Sequence, residues 1–109
     1  MALDIEPDIF RRELARARTF GFMRDVAKLW SAGYALGASF DNTLVVNDDR
    51  LLNPDGLRFP DEFARHKILD IVGDFYLLGR PIRGKITARM TGHADNIALL
   101  SELRKGMGL

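Results

Sequence analysis

The stretch from Arg58 to Asp74, RFPDEFARHKILDIVGD, constrains this chain more than any other, because it reads as one helix with two chemically different faces. Pro60 suits a first helical turn, where its missing N–H costs nothing. Asp61 and Glu62 set negative charge against the positive end of the helix dipole. Ala64, Ile68, Ile71, Val72 and Phe75 recur at helical spacing as an apolar stripe, and Gly79 offers a stop. His66, Asp70 and Asp74 step by four, so at about 100° per residue they drift only slowly around the cylinder, with Lys67 on the border of the same arc. Phe63, Gly73 and Leu77 lie in or beside that arc, which predicts half-buried carboxylates. A histidine followed four residues later by an aspartate lets an imidazole nitrogen and a carboxylate oxygen converge on one point, as when a helix holds a divalent metal, for which zinc is the natural candidate. The same pair also reads as a local hydrogen bond or a surface ion pair, and spacing alone does not choose between them. The second histidine, His93, follows a glycine in RMTGHADN at an expected strand-to-helix junction, a place where catalytic side chains tend to sit.

At 109 residues and 47% hydrophobic content, the chain suffices for one domain, residues 1–109, with a modest core. Sixteen basic residues against fifteen acidic ones give almost no net charge, which argues against a general nucleic-acid grip. No cysteine occurs, so disulfides and thiolate metal sites are excluded, and a cytoplasmic location fits. There is no long apolar run and no signal-like start, hence no expectation of a membrane span or of export.

In chain order, Glu6-Pro7-Asp8 reads as the start of a short helix to about Arg16. Arg11, Arg12, Arg16 and Arg18 form a basic cluster, read either as a solvated helix face or as a phosphate-binding patch. Thr19, Phe20 and Phe22 alternate around Gly21 as in a strand where glycine permits close approach. Met23 to Ala32 is amphipathic through Met23, Val26, Ala27, Leu29 and Trp30, and Gly33 closes it. Tyr34 to Phe40 and Thr43 to Val46 read as strands, the first carrying the small residues Gly37, Ala38 and Ser39 where a ligand has room to pass. Turn signals at Asn47-Asp48-Asp49-Arg50 and Asn53-Pro54-Asp55-Gly56 flank a short strand at Leu51 and Leu52. Alternation from Ile82 to Met90 predicts another strand. A last helix from His93 to about Lys105, ending at Gly106, is expected to bury Ile97, Leu99, Leu100 and Leu103. The fold class that follows is α+β, a two-layer sandwich of helices on a mixed sheet.

Five ordered blocks, RTFGFMRDV at 18–26, LGASFDN at 36–42, LNPDGLRFPDEFARHKILDIVGD at 52–74, LLGRPI at 77–82 and TGHADN at 91–96, resemble the UDP-3-O-acyl-N-acetylglucosamine deacetylases, zinc amidases of lipid A biosynthesis in Gram-negative bacteria. The resemblance runs from about Phe10 to about Leu103. It implies that His66 and Asp70 are two zinc ligands, that His93 is the acid that also steadies the oxyanion, and that Asp74 orients His93 and favours its protonated form. Thr19 would hydrogen-bond the oxyanion and Phe20 would pack on the sugar. Lys67 would meet anionic or hydroxyl groups of the nucleotide sugar, although Lys67 and Asp74 also read as a structural ion pair. A small β-α-β insert at about 22–46 would build an apolar tunnel for the fatty acyl chain, with Ser39 and Phe40 among the substrate-binding residues; plain core is the competing reading of its apolar positions.

The resemblance also implies a deficit. In the family the third zinc ligand, a histidine, and the general-base glutamate come from a first domain, whereas this chain has only two histidines and matches the C-terminal portion of the second. A catalytic zinc takes three protein ligands, so the expected site is incomplete and the chain alone is expected to be inactive. Arg89-Met90-Thr91 and Asp95-Asn96-Ile97 depart from the common family pattern without removing a named catalytic group. Two functions remain open: a piece of a deacetylase that works with the missing N-terminal domain, or a binding module that keeps an acyl or nucleotide-sugar pocket without catalysis. An open sheet edge would favour pairing with another copy, so a homo-oligomer is expected, and a monomeric mass by light scattering would count against it.

Overall fold

The computed structural model describes Met1 to Gly108. The chain forms two compact units, Met1–His66 and the residues from Lys67 onward. Among the described residues the order is α1 (Pro7–Ile9), β1 (Thr19–Phe22), α2 (Met23–Ser31), β2 (Thr43–Asn47), β3 (Arg50–Leu51), α3 (Glu62–Phe75) and α4 (His93–Gly106). This is the α+β class expected, with a mixed three-stranded sheet.

In the first unit, β1 pairs parallel to β2 with Thr19 opposite Thr43 and Phe22 opposite Val46, and α2 is the crossover between them. A parallel pair cannot be closed by a tight turn, so the helix is the connection that this topology requires. β3 returns antiparallel to β2, with Val46 opposite Leu51 and Asn47 opposite Arg50. In that turn Asp48 takes a left-handed backbone (φ 53°), which aspartate tolerates better than most residues. Strand β2 is the most buried of the three: Thr43, Leu44 and Val45 are buried, as are Leu14, Ala17 and Val26 of the same unit. A β-carbon on Gly21 would stand 3.4 Å from Val26 Cγ2, an ordinary packing distance, so the strand meets α2 there without requiring glycine.

Two strands expected from alternation do not form. Residues 34–40 are a succession of turns, in which Ala35 has a positive φ (55°), Trp30 Nε1 donates to Ala35 O at 2.8 Å, and Asn42 Nδ2 donates to Gly37 O at 2.9 Å. Local side-chain bonds take the backbone groups that a strand would have offered to a neighbour. Residues 82–90 alternate in sequence yet are irregular, with Met90 at a positive φ (52°). No described strand pairs with them, and alternation without a partner leaves the ladder unmade.

The helices correct the expectations in detail. The N-terminal helix ends two residues early: beyond α1 the turn widens over Phe10–Leu14, where Ala15 N donates to Phe10 O at 2.9 Å. Pro60 and Asp61 form a turn ahead of α3 rather than its first turn, and Arg65 N donates to Asp61 O at 3.1 Å. Of the stripe on α3, Phe75 is buried, Ile68, Ile71 and Val72 are half-buried, and Ala64 is exposed. After Phe75 a 3-10 turn, Tyr76–Leu78, ends at Gly79 in the left-handed conformation (φ 74°), the stop its glycine foretold.

In the second unit α4 begins at His93, and Asp95 Oδ2 accepts the Gly92 N–H at 2.9 Å, which ties down its start. Leu100 and Asn96 are the buried residues of α4, whereas Ile97, Leu99 and Leu103, expected in the core, are exposed. A leucine-rich helix of this kind has more apolar surface than one buried stripe uses.

Candidate functional site

In the first unit a buried ion pair sets the frame. Glu62, the first residue of α3, is 0% exposed, and Arg18, the residue before β1, is 8% exposed. Arg18 Nε donates to Glu62 Oε2 at 2.8 Å, Arg18 Nη2 to Oε1 at 3.1 Å, and the Arg18 and Arg58 N–H groups reach the same carboxylate at 3.0 and 2.7 Å. Two further guanidinium N–H groups donate to Phe40 O (2.9 Å) and Gly56 O (3.0 Å). Burial pushes the Glu62 pKa up, but the hydrogen bonds from Arg18 and Arg58 outweigh it and hold it down at about 2. Neither reading of the arginine cluster foresaw this, and Glu62 is turned inward rather than spent on the helix dipole.

This frame positions four of the candidate residues. Thr19 opens β1 directly after Arg18 and is exposed, while the half-buried Phe20 ring stands edge-on to Phe63 of α3 at 5.0 Å and 69°. Phe40 is held by its carbonyl, which also accepts Asn53 Nδ2 at 3.2 Å, and its ring is exposed. Ser39 is tied by its backbone, its N–H donating to Asn42 Oδ1 at 2.8 Å and its carbonyl accepting the Thr43 N–H at 2.8 Å. An open cavity of about 250 Å³ beside Phe40 has Arg16, Asp41, Asp55 and Arg58 in its lining, which makes it polar. Exposed apolar residues occur on α2 and after it, among them Leu29, Trp30, Tyr34 and Leu36.

His66 Nδ1 lies 2.9 Å from Ala17 O. A carbonyl only accepts, so Nδ1 carries the proton, and in the neutral ring Nε2 is the nitrogen with the lone pair. This is the usual way a ligating imidazole is oriented. Asp70 follows one turn later on the same unbroken α3. Among the described residues no group of three or more His, Cys, Asp or Glu side chains is placed to hold a metal ion. His66 and Asp70 offer donor atoms of a chemistry that suits a divalent metal, and a catalytic zinc takes three such protein ligands.

In the second unit His93, Asp74 and Asp70 come together. His93 is the first residue of α4, its side chain 69% exposed, and its Nδ1 lies 2.6 Å from Oδ2 of Asp74, whose side chain is 16% exposed. Its Nε2 stands 4.0 Å from Asp70 Oδ2. Asn96 Nδ2 donates to Asp74 Oδ2 at 2.9 Å. The His93 pKa is raised, first by the hydrogen bond to Asp74, then by the charges of Asp74 and Asp70, against burial and the charge of Lys67. Burial pushes the Asp74 carboxyl up, but bonds from Asn96 and His93 prevail and lower it. A raised pKa favours the imidazolium form, and an imidazolium braced by a carboxylate is able to give up a proton or to stabilise a developing negative charge.

Sequence reasoning missed Arg18, Glu62 and Asn96. The signal for Asn96 was present, since it lies three residues after His93 on the same helix face. For the Arg18 and Glu62 pair, 44 residues apart, there was none.

An α+β fold that carries a histidine–carboxylate dyad, with a further histidine and aspartate one helical turn apart, has the side chains of an acid–base hydrolase. The family model described as UDP-3-O-acyl N-acetylglycosamine deacetylase (LpxC) matches residues 1–105, and the chain belongs to that family. The chain is 56% identical over 101 residues to the UDP-3-O-acyl-N-acetylglucosamine deacetylase of Myxococcus xanthus, covering 93% of the chain and 32% of that protein. It is 55% identical over 94 residues to the enzyme of Anaeromyxobacter sp. (86% of the chain, 31% of that protein) and 55% identical over 106 residues to that of Brucella ovis (93% and 37%). The chain thus spans about a third of the length of these curated relatives. No described helix is long and apolar enough to cross a membrane.

Proposed function

We propose that this chain carries one part of the active site for zinc-dependent deacetylation of UDP-3-O-acyl-N-acetylglucosamine, a cytoplasmic step of lipid A biosynthesis, and is inactive by itself. The observation that carries the reading is the 2.6 Å contact between His93 Nδ1 and Asp74, which prepares a proton donor beside α3 residues that include Asp70. His66 and Asp70 are the two zinc ligands; the third, with the general base, belongs to a part of the enzyme outside this sequence. Held there, a zinc ion would supply the polarisation of the amide carbonyl and the activation of water. The chain's own residues do the rest. Thr19 donates to the oxyanion as the carbonyl carbon becomes tetrahedral. His93 passes its proton to the departing nitrogen as the C–N bond breaks, so that acetate and an amine leave, and Asp74 keeps the imidazole oriented throughout. Phe20, Ser39, Phe40 and Lys67 bind the nucleotide sugar and its acyl chain.

The test is complementation in trans. Amide hydrolysis is measured for the chain, for the remaining two-thirds of a relative such as the Myxococcus xanthus enzyme, and for the two mixed. Turnover in the mixture alone, lost with His93→Ala, is expected. Turnover by the chain alone would contradict its dependence on other residues. Binding of the acylated substrate in the mixture without hydrolysis would favour the second reading, a non-catalytic acyl or nucleotide-sugar module.

A further inference from the structure

Asp74 receives two donors, and both use the same oxygen. His93 Nδ1 is 2.6 Å and Asn96 Nδ2 is 2.9 Å from Oδ2. Asn96 is 5% exposed, more deeply buried than either partner, and nothing in the hydrolysis described above uses it. We infer that Asn96 is a positioning residue, whose amide N–H fixes the rotation of the Asp74 carboxylate and thereby the orientation of the His93 ring.

The terminal torsion of an aspartate is broad and nearly two-fold, so a carboxylate held only by an exposed imidazole can present either oxygen or drift between them. A second donor from a buried side chain removes that freedom. Asn96 is itself anchored, because its backbone N–H donates to Gly92 O at 3.1 Å in the first turn of α4. Residues three apart share a helix face, so the turn that carries His93 also carries the group that aims its partner. The partner is therefore aimed from within α4, by a side chain that water reaches far less readily than it reaches the exposed imidazole. The inference rests on the reading of His93 as the acid for its functional meaning, but the geometry is testable without any turnover.

The experiment is NMR of the 15N-labelled, 109-residue chain in metal-free buffer at one fixed, mildly acidic pH, comparing wild type with Asn96→Leu, which keeps the side-chain volume and removes the donor. The expected result is a single His93 ring orientation in wild type, shown by its NOE pattern, that becomes averaged over more than one in Asn96→Leu while the His66 ring signals stay unchanged. A His93 ring that keeps its orientation in Asn96→Leu overturns the inference. Should that variant not fold, the wild-type Asn96 side-chain amide decides: exchange with water slower than that of the exposed Asn47 amide is expected, and equal exchange overturns the proposal. Because no substrate enters the measurement, failure of the deacetylase reading would leave the ring result intact, and the converse holds as well.

Discussion

Glu62 shows how much one residue can carry when its charge is taken out of water. Its carboxylate accepts four hydrogen bonds, three of them from Arg18. Glu62→Ala leaves the Arg18 guanidinium buried without its partner, and the expected loss in urea-unfolding stability is about 3–5 kcal/mol. A loss near zero would mean that the pair does not frame the unit. The pH dependence has a definite sign. A carboxyl whose folded pKa is lowered from 4.5 to about 2 contributes stability that is complete above the unfolded value, so unfolding should set in as pH falls through this window, and Glu62→Ala should flatten that part of the curve. At this scale the sequence was half legible. The shared face of His66, Asp70 and Asp74 was readable from their spacing, because helix geometry is local, while the roles of these residues and of His93 came only from the family resemblance. Arg18 and Asn53 did not, since an arginine in a basic cluster and an asparagine in a turn motif look solvated until distant backbone groups come to meet them.

At the scale of elements, Asn53 explains why a turn signal became part of the sheet. Its Oδ1 accepts the Val45 N–H at 2.8 Å and its Nδ2 donates to Thr43 O at 2.8 Å, so one side chain occupies the place of a missing strand beside β2. Asn53→Ala should cost about 1–3 kcal/mol for each buried group left unsatisfied. Faster hydrogen exchange at the Val45 amide is the check. The same logic governs residues 82–90. Their amides should exchange far faster than those of Leu44 and Val45, and slow exchange across Ile82 to Met90 would show a paired strand after all. The helices were readable because caps, stripes and stops lie within a few residues of one another. Three of the five expected strands form, at Thr19–Phe22, Thr43–Asn47 and Arg50–Leu51, and the two that fail do so because a strand is defined by a neighbour, and alternation predicts a face without saying what lies at its edge.

For the whole molecule, the family membership and the geometry lead to one statement. The chain belongs to the deacetylase family and spans about a third of its relatives' length, and on the function proposed above it supplies an acid and two metal donors while the rest of the ligand set comes from elsewhere. The most direct measurement is the zinc content of the purified chain after dialysis against metal-free, non-chelating buffer. Far less than one zinc per chain is expected, because two donors do not retain the ion. About one tightly held zinc per chain, lost with His66→Ala, would contradict the account by showing that the ligand set is complete without any residue from outside this sequence.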